Sequence, residues 1–223
     1  DLHLSIRRQR QMCIRDSVKS EAVLKGISFK VKPGQTLAIV GSTGAGKSTI
    51  INLINRFYDL EKGQILMDGI NIKNIALSSL RKQVAVVLQD VFLFADSILN
   101  NITLGNGEIS EASVVDAAKQ IGIHDFINNL PRGYHYNVKE RGVMLSGGQV
   151  QRLGLARAFD KDFEILILDE STNALDFDTE NLVYSNIKSE FADKTIFSIT
   201  HNKELSKKFD ITLELDNGKI EIK

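Results

Sequence analysis

Eight consecutive residues, Gly41-Ser42-Thr43-Gly44-Ala45-Gly46-Lys47-Ser48, constrain this chain more than any others. They satisfy G-x-x-x-x-G-K-[ST], a pattern whose glycines let backbone N–H groups converge on phosphate oxygens. The pattern carries that meaning only between a buried strand and the start of a helix. Both flanks comply: Thr36 to Val40 has the character of a buried strand, and Lys47 to Phe57 has helical spacing. A helix beginning at Lys47 adds partial positive charge at the loop. Lys47 can then reach the β- and γ-phosphates and the Ser48 hydroxyl can ligate Mg²⁺, with Thr49 completing the set of candidate nucleotide contacts. Nucleotide binding follows.

The remaining sequence from Ala22 onward alternates strand-like and amphipathic helical segments, which predicts an α/β domain with a largely parallel sheet. Val84 to Leu88, Ile165 to Leu168 and Thr195 to Thr200 are further strands. Gly63 to Gly69 reads as an edge strand ending in an Asp68-Gly69 turn, and Asp216-Asn217-Gly218 turns a closing hairpin. From Ser97 to about Leu130 the spacing becomes helical, with Ser110 placed to cap a helix over Ala112 to Gln120; this predicts a separate helical lobe. A further helix is expected near Thr179 to Phe191. No internal repeat or low-complexity tract interrupts the chain.

Composition narrows the function classes. With 43% hydrophobic residues in 223, the chain can bury one substantial core and a smaller second lobe. Lysine plus arginine equal aspartate plus glutamate at 28 each, so no global field holds the protein on nucleic acid or an anionic lipid surface. The one cysteine, Cys13, excludes an internal disulfide and points to a reducing compartment. Apolar runs such as Ile165 to Leu168 are far short of the roughly 20 residues that cross a bilayer. Residues 1–17, DLHLSIRRQRQMCIRDS, have no helical or strand periodicity and four arginines around no apolar face. The string RRQRQMCIRDS resembles a translated sequencing adaptor, so this segment is expected to be non-native, with a natural basic tail as the alternative.

Ile165-Leu166-Ile167-Leu168-Asp169-Glu170 is an apolar strand ending in two acids. A buried strand of this kind carries both carboxylates to the sheet's C-terminal edge, where a phosphate loop also lies. Asp169 is placed to hold Mg²⁺, and Glu170 to polarise an attacking water, a general-base step worth roughly 10²- to 10⁴-fold in rate. Alone, such a pair is often a solvated strand end; beside a phosphate loop it is a catalytic candidate. His201 follows one strand and Gln89 another, so each sets a polar side chain at that edge. His201 is the candidate γ-phosphate contact that aligns Glu170 and water, and Gln89 the candidate contact to metal or water.

Leu145-Ser146-Gly147-Gly148-Gln149 precedes the helical segment Val150-Gln151-Arg152-Leu153-Gly154-Leu155-Ala156-Arg157-Ala158. A serine and two glycines at a helix start make a second anion site, although the chain already has one. LSGGQ before such a helix resembles the signature of the ABC ATPases. The order of phosphate loop, Gln89, signature, Asp169-Glu170, Asn173-Ala174-Leu175-Asp176 and His201 is also similar to theirs.

The resemblance covers roughly Ala22 to Lys223. It implies a P-loop NTPase core with a mostly parallel sheet, an antiparallel β edge subdomain and an inserted α-helical subdomain at about 97–158, within an ATPase domain spanning 18–223. It also implies that the signature completes the ATP site of a facing domain, identical or different, and that Asn173 to Asp176 lie in that interface. ATP and Mg²⁺ are the implied ligands.

The stretch Gln89-Asp90-Val91-Phe92-Leu93-Phe94-Ala95-Asp96-Ser97-Ile98 with Asn101-Ile102, the preceding Ser79-Leu80-Arg81, and Glu140-Arg141-Gly142 resemble the exporter branch. That branch implies a transmembrane domain on the same native polypeptide, no nucleic-acid partner, and a place on the cytoplasmic side of the cell membrane. Lys139 stands where many exporters have glycine. An importer subunit, a soluble ABC ATPase acting on DNA or ribosomes, and a degenerate domain that binds ATP without hydrolysing it are the alternatives. The family also places an aromatic ahead of its first strands to stack on adenine, and none occurs here before Phe29. Stacking is worth about 1 to 3 kcal/mol, so a natural N-terminus carrying that aromatic is expected to tighten ATP binding roughly 5- to 150-fold.

Overall fold

A computed structural model describes residues 23–60, 62–139, 145–159 and 161–222. The adaptor-like segment 1–17 and Glu140-Arg141-Gly142 lie outside the described residues. Two compact units are present. One comprises the described residues up to Ala85 with Phe163–Asp169 and those from Asp193 on, and the other comprises Val86–Asp162 and Glu170–Ala192.

The first unit is organised by strands. β1 (Thr36–Gly41) leads into helix α1 (Lys47–Ile54), followed by the short pair β2 (Leu66–Met67) and β3 (Ile70–Asn71) and helix α2 (Leu77–Gln83). Next come β4 (Val84–Val87), whose last two residues belong to the second unit, β5 (Ile165–Asp169), β6 (Thr195–Ile199), the short helix α8 (Lys203–Ser206), β7 (Ile211–Asp216) and β8 (Lys219–Ile222). Six strands form one sheet in the order β4-β5-β6-β1-β7-β8. β1 pairs in parallel with β6 and β7, β5 pairs in parallel with β6, and β7 and β8 form an antiparallel hairpin. Every residue of β6 is buried, as expected of a central parallel strand covered on both faces. Leu37, Ile39, Ile50, Leu166, Phe197 and Leu213 make the core around it.

Two turns form for a local reason. Asp68 (φ 51°) with Gly69 (φ 79°), and Asn217 (φ 46°) with Gly218 (φ 78°), put positive φ at both central positions, which the right-handed twist of a tight hairpin demands. The β2-β3 ladder is shorter than the expected Gly63 to Gly69 strand, because only Leu66↔Asn71 and Met67↔Ile70 pair. α1 likewise stops at Ile54 rather than Phe57. There the Asn55 side chain donates to the Ile51 carbonyl at 2.9 Å and Arg56 turns left-handed at φ 52°, ending the helix.

The second unit is helical: α3 (Ile98–Thr103), α4 (Glu111–Gln120), α5 (His124–Asn128), α6 (Gly147–Phe159) and α7 (Phe177–Glu190). Ser110 caps α4 by accepting from the Ser113 N–H at 3.1 Å, as its position implied. Ile98, Ile102, Val114, Ile127, Leu153 and Ala156 interlock as its core. No helix among the described residues is long and apolar enough to cross a membrane.

Candidate functional site

The phosphate loop is shaped by its own backbone. Gly46 sits at φ 106°, where an L side chain is strained, and a Cβ there would come within 2.9 Å of Leu24. The Ala45 N–H closes the turn on the Ser42 carbonyl at 3.2 Å. Lys47 is only 6% exposed, and its ammonium donates to the carbonyls of Gly41 (2.9 Å) and Ser42 (3.0 Å). A nearly buried cation is tolerable because these oxygens replace its water, and they hold it across the loop. Ser42, Thr43, Gly44 and Ser48 are exposed, so the outer amides and the Ser48 hydroxyl open to solvent, while Thr49 is half-buried.

Strand register brings three candidates to one edge of the same unit. Asp169 pairs level with Ile199, and Ile199 with Ile39. Asp169 therefore stands at the height where β1 is about to enter the loop at Gly41 and β6 is about to deliver His201. Asp169 is half-buried and His201 exposed. Buried apolar strands leave their first polar residues where the sheet ends, which is the position at which open α/β sheets bind ligands.

Glu170, directly after Asp169, has φ 48°, an uncommon conformation for a residue with a side chain and one that turns the chain sharply off β5. Its carboxylate Oε2 accepts from Asn173 Nδ2 at 2.9 Å. Behind it, the Thr172 hydroxyl donates to buried Glu180 at 2.7 Å. Asn173, Ala174 and Asp176 are exposed and Leu175 half-buried. Asp176 caps α7, accepting from the Thr179 N–H at 3.0 Å and the Thr179 hydroxyl at 2.7 Å. These two bonds, the backbone one foremost, hold its carboxyl below the usual carboxylate range.

The signature turn opens α6 with a reciprocal cap. The Ser146 N–H donates to Gln149 Oε1 at 2.8 Å and the Gln149 N–H donates to Ser146 Oγ at 3.3 Å. The cap leaves the Ser146 hydroxyl hydrogen able to donate. Gly147 and Gly148 occupy the first turn, whose amides have no carbonyl within the helix to bond. Ser146 and Gly147 are exposed, Leu145 and Gly148 half-buried. The turn thus faces solvent on its own chain.

Gln89 lies just past β4 and is exposed. After it Phe92 and Phe94 meet edge to face at 5.0 Å, both more than half exposed. Buried Asn101 pins this segment, accepting from the Phe94 N–H at 2.8 Å and donating to its carbonyl at 3.0 Å. Arg157 of α6 donates to the carbonyls of Phe92 and Asn101, both at 2.8 Å. Burial lowers the pKa of Arg157. The phosphate loop, Asp169 and His201 thus belong to the first unit, and Gln89, Glu170, the signature and Asn173 to Asp176 to the second.

Two residues outside the sequence motifs hold this scaffold: Arg157, and Gln151, which bonds to Ala174 and Glu170. Both sit on the helix after the signature. Their one sequence signal is a polar residue in a segment rich in small apolar ones, which an exposed face explains equally well.

Residues 24–173 match the family model described as ABC transporter. Multidrug export ATP-binding/permease proteins of Staphylococcus aureus strains NCTC 8325 and COL are each 46% identical to this chain over 198 residues, which is 89% of the chain and 34% of each relative. The chain therefore spans about a third of the length of these relatives. Among solved structures, a bacterial Atm1-family ABC exporter with ATP bound superposes with a TM-score of 0.89 at 40% identity, over 99% of this chain and 38% of that one. With a phosphate loop, an acidic strand end and a solvent-facing LSGGQ turn on one chain, and a family match over most of its length, the chain belongs to the ABC transporter family.

Proposed function

We propose that the chain is the ATP-hydrolysing domain of an ABC exporter, which closes on ATP with a second such domain and opens after hydrolysis. One observation supports this: the chain has two separately built turns suited to phosphate, the Lys47 loop and the exposed, capped Ser146 turn, and a single ATP needs only one in cis. The second serves a facing domain, a copy of this chain or a homologue. The boundaries we assign are 18–223 for the ATPase domain, with a helical subdomain at about 97–158.

In this reading Gly41 to Gly46 wrap the phosphates with their amides, Lys47 neutralises the β- and γ-phosphates, and Ser48 and Thr49 complete the grip. Among the described residues no cluster of three His, Cys, Asp or Glu side chains could hold a metal. The donors of the first unit are the Ser48 hydroxyl and the Asp169 carboxylate, and the order of motifs in the sequence assigns the Gln89 carbonyl as a third. Such hard oxygens in small number fit Mg²⁺, which keeps water and phosphate oxygens in its shell. When bound, Mg²⁺ neutralises charge on the phosphate oxygens. By the order of motifs in the sequence, Glu170 is the group that takes a proton from the attacking water and His201 the contact to the γ-phosphate. Leu145 to Gln149 present Ser146 and the first-turn amides to the partner's ATP, and Asn173, Ala174, Leu175 and Asp176 lie along the shared interface.

The exporter relatives support a transmembrane domain on the native polypeptide and a position on the cytoplasmic face of the membrane. Exposed Phe92 and Phe94 belong to the segment that resembles the exporter branch. Phosphate release tests the activity: wild type turns over ATP with Mg²⁺, and Glu170→Gln loses at least about 100-fold in rate while still binding nucleotide. Equal rates for the two proteins refute hydrolysis through Glu170.

A further inference from the structure

We propose that Gln151 is a positioning residue that clamps the Ser171–Asp176 segment, and through it Glu170, to the first turns of the signature helix. Gln151 is 8% exposed on α6, one turn past the signature glycines. Its carboxamide is used at both ends: Oε1 accepts from the Ala174 N–H at 2.9 Å, and Nε2 donates to the Glu170 carbonyl at a longer 3.5 Å. Asn173, between those two anchor points, donates its side-chain amide to Glu170 Oε2 at 2.9 Å.

A closed circuit results, in which one buried side chain holds the backbone on both sides of Asn173 while Asn173 holds the carboxylate. The fit is close at the backbone as well. A Cβ on Gly148 would lie 2.8 Å from the Ala174 carbonyl oxygen and 3.4 Å from the Leu175 side chain, so the helix start and the segment touch with no side chain between them.

The consequence is mechanical. The signature turn, which meets the partner's nucleotide, and Glu170, which serves the chain's own, are tied within one compact unit. Displacement of either is passed to the other through a two-ended carboxamide, whose geometry a flexible apolar side chain cannot reproduce. Glu170 sits at φ 48°, a conformation that persists only when its surroundings over-determine it, and the bond to its carbonyl is one such restraint.

The catalytic half of this assignment rests on the ATPase reading above; the structural half does not. Gln151→Met keeps the length and loses both bonds, and Gln151→Asn keeps the amide but is too short to span. Each is expected to lower kcat for ATP hydrolysis by about 10- to 100-fold, as small misplacements of a reacting group do, with KM for ATP changed less than about twofold. A general loss of folding would instead remove active protein and lower the melting temperature without that split.

Amide hydrogen exchange at Ala174 gives a readout that does not depend on activity. Ala174 is exposed as a residue, yet its N–H is predicted to be protected in wild type, and that protection to disappear in both variants. Exchange at the unprotected rate in wild type overturns the proposal, and so does a variant with wild-type kcat. A wild-type chain that hydrolyses no ATP counts against the ATPase reading, and the exchange result then decides the role of Gln151 by itself.

Discussion

Lys47 shows how far a single residue can be read from its neighbours. Its type and spacing announce a phosphate contact, and the fold adds that its ammonium is nearly buried and already bonded to two carbonyls of its own loop. In the proposed role of Lys47, Lys47→Met removes a charge-assisted hydrogen bond to phosphate, worth about 1.5 to 3 kcal/mol, so ATP affinity is expected to fall roughly 10- to 150-fold in a nucleotide titration. Unchanged affinity would mean that the loop amides alone bind the phosphates. The reciprocal cap between Ser146 and Gln149 is a finding of the structure, whereas the sequence singled out Ser146 as a phosphate donor to a facing domain. The left-handed φ of Glu170 and its bond from Asn173 were not legible in the sequence, since both depend on where β5 ends in space.

At the scale of elements, the packing of α6 decides more than its helix propensity. A Cβ on Gly154 would lie 2.5 Å and 2.9 Å from the two methyl carbons of Val91. Alanine would gain about 0.8 to 1 kcal/mol as a better helix former, but overpacking against a branched side chain costs about 1 to 3 kcal/mol. Gly154→Ala is therefore expected to lower the melting temperature; a rise would show that Val91 yields freely.

The loop after α5 contributes a titration. Tyr134 is buried and bonds to His124 Nδ1 at 2.8 Å. Burial first, then the nearby charges of Glu111 and Asp116, push its pKa from 10.0 up to about 12. The fold holds the neutral phenol, so this contribution to stability is complete below pH 10 and is lost as pH rises through about 12. Tyr134 should accordingly ionise late in an ultraviolet titration of the folded chain, and Tyr134→Phe should reduce the absorbance change seen near pH 12. The α4 cap and the two hairpin turns were legible because each rests on contacts a few residues apart. The early end of α1 was not, because it depends on Asn55 and Arg56 leaving the helix.

For the whole molecule, the decisive test is association. Glu170→Gln at high concentration with ATP and Mg²⁺ is expected to sediment as a dimer and to return to monomer when ATP is removed. A persistent monomer would sink the shared nucleotide site, although binding to the Lys47 loop could survive it. The chain's order of motifs was sufficient to identify a nucleotide-binding α/β protein, since the phosphate loop, the acidic strand end and the LSGGQ cap are each local. Short-range backbone geometry dictates which residues may stand in them.

The sequence placed Gly41, Asp169 and His201 at one sheet edge; the tertiary structure alone decided the register that sets Asp169 level with Ile199 and Ile39. It alone decided that a glutamine outside every motif holds the chain on both sides of Asn173. Those facts join residues far apart in sequence. Whether a polar side chain on a helix meets water or a distant backbone amide is settled only when the helix is packed.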